Sequence, residues 1–346
     1  MWRHRIKRVI IDRGAERDPL TARIRERLSP VPATVVPDAR ELIAAEPDDR
    51  TSLILMRHRG AFVKEFTIPP SAPPCGERYL VTMLNCPFSC SYCYLRSYLD
   101  HRRLVVFTNT DDLAGEIRRL AAAAPAARLT TGELGDSLAL DEVTGTTGEI
   151  LALLHGSGMT LDVRTKSDRV HHLLEGDAAA RNLVITWTLG PESQIAREER
   201  GTASLADRCA AMRRAADAGI RVGVRFDPII PFYADIAAYR RIVETIAASI
   251  DPTFISRFEL GIVRFPPGLW RRIRSNEPGS PLLRGEYFRD REGKIRLYRP
   301  ARIALYREVA RAVRSRFPDT PVELSMEDRT VWEDAGLTPP GGSISC

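Results

Sequence analysis

At 346 residues the chain is long for one simple domain, and 44% hydrophobic with 28% charged residues is ordinary globular composition, which excludes disorder and collagen-like repeats. No apolar run reaches the roughly 18 residues of a membrane span, and Val9-Ile10-Ile11 is too short for a signal-peptide core, so a cytoplasmic protein without a membrane partner is expected. The net charge is +6, and among 51 basic residues only Lys7, Lys64, Lys166 and Lys294 are lysines, which reads as genomic bias toward arginine more than as a selected polyanion site.

Residues 1–70 alternate short apolar runs (Val9–Ile11, Ala33–Val36, Ser52–Leu55) with a helical stretch near Leu20–Leu28, a small α/β lead-in. It ends at Ile68-Pro69-Pro70-Ser71-Ala72-Pro73-Pro74, where the prolines forbid helix. From 71 to 265 strands alternate with helices. The strands are expected at Tyr79–Asn85, Leu104–Asn109, Arg128–Glu133, Thr160–Lys166, Leu183–Leu189, Arg221–Ile230 and Phe254–Phe265. The helices are expected at Asp111–Ala124, Gly148–His155, Leu205–Ala218 and Ile236–Ala248. Such alternation implies βαβ units, here an incomplete α/β barrel of the (β/α)6 type, with reactive groups at the C-terminal strand ends. The third part, 266–346, is expected to hold a β-hairpin, a C-terminal helix and a flexible tail from Thr338 to Cys346. Between Phe265 and Arg302 ten basic residues face four acidic ones, enough to account for the whole charge imbalance. The run Gly285–Tyr298 reads as two strands around the turn Asp290-Arg291-Glu292-Gly293, with Tyr287, Phe288 and Tyr298 interleaved among arginines. That composition suits phosphate contact and base stacking, so DNA bound through 266–302 is one reading, a smaller anion a second and a solvated hairpin a third.

Of six cysteines, three fall in Leu84-Asn85-Cys86-Pro87-Phe88-Ser89-Cys90-Ser91-Tyr92-Cys93-Tyr94, a CxxxCxxC run just after the first expected barrel strand. Three thiolates in one loop can hold three irons of a 4Fe–4S cubane and leave the fourth open. A zinc site would need a fourth ligand, and the nearest histidine, His101, is awkwardly placed for a compact tetrahedron. Cys209 reads as helix packing, Cys75 sits in the proline loop, and the pair His171-His172 is assigned no role.

The spacing, its loop position and the barrel pattern together resemble the radical S-adenosylmethionine superfamily. The resemblance implies that Cys86, Cys90 and Cys93 ligate the cluster and that its open iron chelates S-adenosylmethionine. Reductive cleavage would then yield a 5′-deoxyadenosyl radical, with a flavodoxin or ferredoxin as electron donor. Glu133, ending Thr130-Thr131-Gly132-Glu133, resembles the element that receives the cofactor's amino group. Lys166, at a later strand end, is placed to pair with the cofactor's carboxylate. More closely, residues 60–335 resemble the spore photoproduct lyase family. The resemblance is carried by the cysteine run with Tyr92 and Tyr94, by Phe107–Leu113, Gly135–Asp141, Arg164–Ser167, Glu199–Thr202 with Arg208, Asp227–Ile230 and Ser325–Trp332. It implies catalytic roles for Tyr92 and Tyr94, and cofactor contacts for Asp136, Ser137, Thr188, Glu199 and Arg208 beside Glu133 and Lys166. Lyases of this family carry a hydrogen-donating cysteine where this chain has Glu133. Three readings therefore stand: an enzyme making or breaking a carbon–carbon bond in a nucleotide-like small molecule, a DNA photoproduct lyase with an altered donor such as Tyr92, Tyr94 or Cys346, and an iron–sulfur protein without turnover.

Overall fold

The computed structural model describes residues 6–174 and 182–339. The tail carrying Cys346 lies outside them. Two sheets organise the chain. In the smaller, the strands Ala33–Val36, Arg8–Asp12, Ser52–Met56 and Leu104–Phe107 lie in that order and run parallel, with Met83–Leu84 closing the edge antiparallel. Side chains alternate across a strand, so Leu53, Leu55, Leu104 and Val106 enter one apolar core while Ile54, Met56, Val105 and Phe107 enter another. Both faces of Ser52–Met56 and Leu104–Phe107 are covered, which is why these segments read as continuous apolar runs, whereas the edge strand Ala33–Val36 is largely exposed.

The larger sheet has eight strands, ordered Val322–Leu324, Ile255–Ile262, Arg221–Ile229, Leu183–Thr188, Thr160–Thr165, Arg128–Thr131, Glu77–Leu80 and Val63–Glu65. The first seven are parallel and the last is antiparallel. This is the expected incomplete α/β barrel. The helices Leu205–Asp217 and Ile236–Ser249 connect its strands, and each begins on a side-chain cap. Ser204 accepts from the Asp207 N–H at 3.1 Å, and Asp235 from the Ala237 N–H at 2.9 Å. Buried Tyr239, Ile242, Val243 and Ile246 then recur at helical spacing and anchor the second helix on the sheet.

Three expected strands are corrected, and of these Phe254–Phe265 divides into Ile255–Ile262 in the barrel and Arg264–Phe265 in the hairpin sheet. The alternation places Leu104–Asn109 in the barrel, but Leu104–Phe107 pairs with Ser52–Met56 in the smaller sheet. Tyr79–Asn85 splits, because Glu77–Leu80 belongs to the barrel while Met83–Leu84 crosses to pair with Val105 and Val106. The chain therefore passes between the two sheets just before the cysteine run. Sequence alternation does not distinguish these cases, since both sheets are parallel and buried.

Inside the curl, the alternation that sends Leu161, Val163, Ile185, Trp187, Phe258 and Leu260 outward to the apolar core turns their polar neighbours inward. Arg164 pairs with Glu77, and Arg257 with Asp162 and, at 3.4 Å, with Glu77. Thr186 donates to Asp162 at 2.6 Å. The lumen is thus a lattice of mutually compensating charges, each of which would be costly to bury alone.

The hairpin forms as expected. Tyr287–Arg289 pairs with Ile295–Leu297, and Arg264–Phe265 adds a third strand on the other side. Not all of its basic residues are free for phosphate. Arg296 and Arg302 are buried against Glu327, and Arg296 also holds Asp290 at 2.7 Å. Phe288, Arg289, Arg291 and Tyr298 stay exposed. Among the described residues no helix is long and apolar enough to cross a membrane.

Candidate active site

The strand ends Gly132–Asp136, Arg164–Lys166, Thr188, Arg225–Pro228 and Val263–Pro266 converge with the cysteine loop around a cavity of about 510 Å³. Cys86, Cys90 and Cys93 all line it, as do Tyr92, Tyr94, Glu133, Asp136, Lys166 and Thr188. Ser137, Glu199 and Arg208 do not.

The cysteine loop is held from behind. Ser89–Cys90 pairs antiparallel with Glu199–Arg200, and the Ser91 N–H donates to the Glu198 carbonyl at 2.8 Å. Arg208, with no exposed surface, donates to the Ala203 and Thr188 carbonyls at 3.0 and 2.8 Å, and to the Glu199 carboxylate and Thr202 hydroxyl at 2.7 Å each. The other Glu199 oxygen accepts from the Tyr92 hydroxyl. Burial drives the Glu199 carboxyl upward, but the Arg208 guanidinium, with Lys166 and Tyr92, outweighs it and holds the carboxyl below its ordinary value. Glu199 and Arg208 thus brace the loop rather than face the cavity.

Asp136 is similarly spent. Its carboxylate accepts from the Leu138 and Ala139 N–H groups at 3.1 and 3.0 Å, the Thr165 hydroxyl at 2.8 Å and the Lys166 N–H at 2.7 Å. Burial still outweighs these bonds and raises its pKa. Ser137 bridges the same two strand ends, accepting from the Thr131 hydroxyl at 2.8 Å and the Arg164 N–H at 3.0 Å. Gly132, at φ 102°, turns the chain sharply out of Arg128–Thr131, a conformation only glycine adopts cheaply. These residues fix where Glu133 and Lys166 stand.

Glu133 and Lys166 themselves are among the charged side chains that line the cavity. The Lys166 ammonium lies 5.8 Å from the centre of the Tyr92 ring, and among the described residues no carboxylate comes within ion-pair distance of it. The Glu133 carboxylate and its carbonyl accept from the Tyr94 hydroxyl at 2.7 and 2.6 Å. An ammonium and a carboxylate facing one cavity complement a zwitterionic amino-acid moiety.

The thiols can be tested against a cluster. Burial raises the pKa of Cys86, Cys90 and Cys93 alike, and nearby Lys166 only partly compensates at Cys90 and Cys93. Thiolates there require cationic metal, which deprotonates a coordinating thiol outright. Among the described residues no three His, Cys, Asp or Glu side chains converge as ligands of a single ion do. Three cysteines of one loop lining one cavity suit a multi-iron cluster, and His101, bonded to Asn85, does not line it.

Charged residues given no site role from the sequence also reach the cavity. Asp227 lies 2.6 Å from Arg225 and 3.8 Å from Arg264. Burial pushes its carboxyl up, but the two arginines pull it down to about 2. Lys294, carried in by the hairpin, pairs with Glu292 at 3.5 Å. Arg225 and Asp227 lie near the C-terminal end of a barrel strand, a position that would have marked them. Nothing local marked Arg264 and Lys294. Cys209 is half-buried against the core, where burial lifts its thiol to about 11.

Comparison with known proteins follows the same lines. A family model described as spore photoproduct lyase matches residues 63–331. A spore photoproduct lyase from a Geobacillus species is 24% identical over 218 residues, covering 61% of this chain and 64% of that protein's length. A solved spore photoproduct lyase with a single cysteine-to-alanine substitution superposes with a TM-score of 0.78 at 22% identity, over 92% of this chain and 98% of the other. A variant with bound S-adenosylmethionine and a dinucleoside spore photoproduct gives 0.78 at 22% identity, over 91% and 97%.

Proposed function

Because the chain belongs to the spore photoproduct lyase family, we propose that it is a radical S-adenosylmethionine enzyme that makes or breaks a carbon–carbon bond in a nucleotide-like small molecule. When bound, a 4Fe–4S cluster supplies the electron that splits S-adenosylmethionine, so that the 5′-deoxyadenosyl fragment can take a hydrogen atom from substrate. Cys86, Cys90 and Cys93 hold three irons. Glu133 receives the cofactor's ammonium group and Lys166 its carboxylate, while Asp136 and Ser137 keep the two strand ends in register. Tyr94 fixes the Glu133 carboxylate, and Tyr92, tied through Glu199 to Arg208, stiffens the loop between the second and third ligands. The apolar wall of Phe66, Phe88, Leu134 and Phe265 keeps water from the reacting atoms.

One observation carries the substrate reading: Glu133 occupies the strand end where the family resemblance places a hydrogen-donating thiol. A carboxyl group does not give up a hydrogen atom at useful cost. Among the described residues the only cysteines lining the cavity are the three that would be bound to iron. A product radical that must be quenched by a well-positioned thiol therefore fits this cavity poorly. The test incubates reconstituted protein, reductant and S-adenosylmethionine with a dinucleotide spore photoproduct in one arm and with free nucleosides and nucleotides in another. 5′-Deoxyadenosine release stimulated by a small substrate, with little photoproduct repair, supports the proposal. Efficient conversion of the photoproduct to two thymidines overturns it.

That second outcome is the DNA-lesion reading, and the hairpin is the observation in its favour. Phe288 and Tyr298 expose 41% and 51% of their surface beside exposed Arg289 and Arg291, a stacking and phosphate-binding combination. Duplex affinity that falls steeply with salt and is lost in Arg289→Glu would favour it.

A further inference from the structure

A second cavity, about 770 Å³ and open to solvent, lies on the other side of the cysteine loop. Arg50, Arg96, Arg102, Arg197 and Arg200 line it. The carboxylates present are Glu277 and Glu198, and Glu198 is already engaged by the Ser91 and Tyr233 hydroxyls. Two of the arginines are fastened to the loop itself: Arg50 donates to the Phe88 carbonyl at 3.0 Å and Arg96 to the Ser91 carbonyl at 2.6 Å.

The loop is the wall between this cleft and the active-site cavity. Ser89 and Ser91 line the cleft, whereas Cys90 between them lines the cavity. Successive side chains of the extended Ser89–Cys90 segment point to opposite faces, so the Cys90 thiol lies across the backbone from the cleft. Nothing in the catalytic proposal uses the cleft.

Resting on the reading of the thiols as cluster ligands, we infer that this cleft is the docking surface for an acidic one-electron carrier protein that reduces the cluster. Five guanidinium groups against two carboxylates, of which Glu198 lies 3.9 Å from Arg197, select a partner whose contact patch is acidic. One electron passes per encounter. The carrier's reduced flavin or iron–sulfur centre is oxidised, the cluster is reduced, and no bond is made or broken.

The experiment uses a flavodoxin as probe and the full-length protein, with and without reconstituted cluster. Calorimetric titration should give an affinity that weakens as salt rises, and that is at least about tenfold weaker in Arg197→Glu/Arg200→Glu. Both side chains are exposed and outside the cavity, and the backbone pairing of Arg200 with Ser89 is kept by the substitution. Arg289→Glu, on the hairpin, should bind the flavodoxin like the unaltered protein. Stopped-flow reduction of the cluster by flavodoxin should slow in the double variant, while reduction by dithionite stays unchanged. Unaltered affinity in the double variant, equal loss in Arg289→Glu, or displacement of flavodoxin by duplex DNA through the same arginines would each overturn the inference. Failure of the dithionite-reduced holoenzyme to cleave S-adenosylmethionine would instead overturn the functional reading, since flavodoxin binding is measured without turnover.

Discussion

Arg208→Met tests how the cysteine loop is supported. The substitution keeps an apolar stem but removes four donated hydrogen bonds and the counter-charge of Glu199, and the two side chains expose 0% and 1% of their surface. Removing one partner of a buried pair costs about 3–5 kcal/mol, a large share of the roughly 5–15 kcal/mol that a domain possesses. The sign of the pH dependence follows from Glu199. In the native protein its folded pKa lies below the ordinary value, so its stabilisation is fully present above that value and is lost as pH falls through the folded pKa. Without Arg208 burial prevails, the folded pKa rises above the unfolded one, and protonation relieves the penalty. The deficit of the variant should therefore be largest near about pH 8 and narrow toward about pH 5. Urea denaturation of the apo-protein at both pH values measures it. Arg208→Met/Glu199→Gln, which removes the pair together, should recover to within about 2 kcal/mol of the unaltered protein. A deficit below about 1 kcal/mol, one independent of pH, or a double variant as unstable as the single would refute the reasoning.

Cys90→Ala should lose the cluster and all cofactor cleavage, followed by iron content and visible absorption; a full cluster in this variant would remove Cys90 from the ligand set. Glu133→Ala and Lys166→Ala should keep the cluster but bind S-adenosylmethionine roughly 30-fold to several-hundred-fold more weakly, the equivalent of about 2–4 kcal/mol, and calorimetry showing unchanged affinity in both would mean that other strand ends hold the cofactor. Asp136→Ala should instead lower stability, by about 2–4 kcal/mol, because four donors lose their acceptor. Gly261→Ala would place a Cβ 2.4 Å from the Asp227 carboxylate and drive it off Arg225, costing about 1–3 kcal/mol; thermal melting at the unaltered midpoint would show that Asp227 moves freely.

The cysteine spacing and the apolar periodicities lay in the sequence because they are local. A loop needs three thiols within a few residues to wrap one cluster, and a buried parallel strand needs a short apolar run, whatever the rest of the chain does. Glu133 and Lys166 were legible as polar residues at the ends of such runs. Which sheet Leu104–Phe107 joins was not, because parallel strands of two buried sheets carry the same pattern and only packing chooses between them. Nor could spacing separate a residue that faces a ligand from one that braces its neighbour. Glu199 stands in the strand that pairs antiparallel with Ser89–Cys90, and Arg208 on the following helix reaches its carboxylate, so both side chains lie behind the loop. The cleft arginines come from positions between Arg50 and Arg200, and Lys294 reaches Arg264 only because the hairpin folds back over the barrel. Charge is a property of composition, but whether charges meet is decided by distances that exist only after the chain has closed on itself.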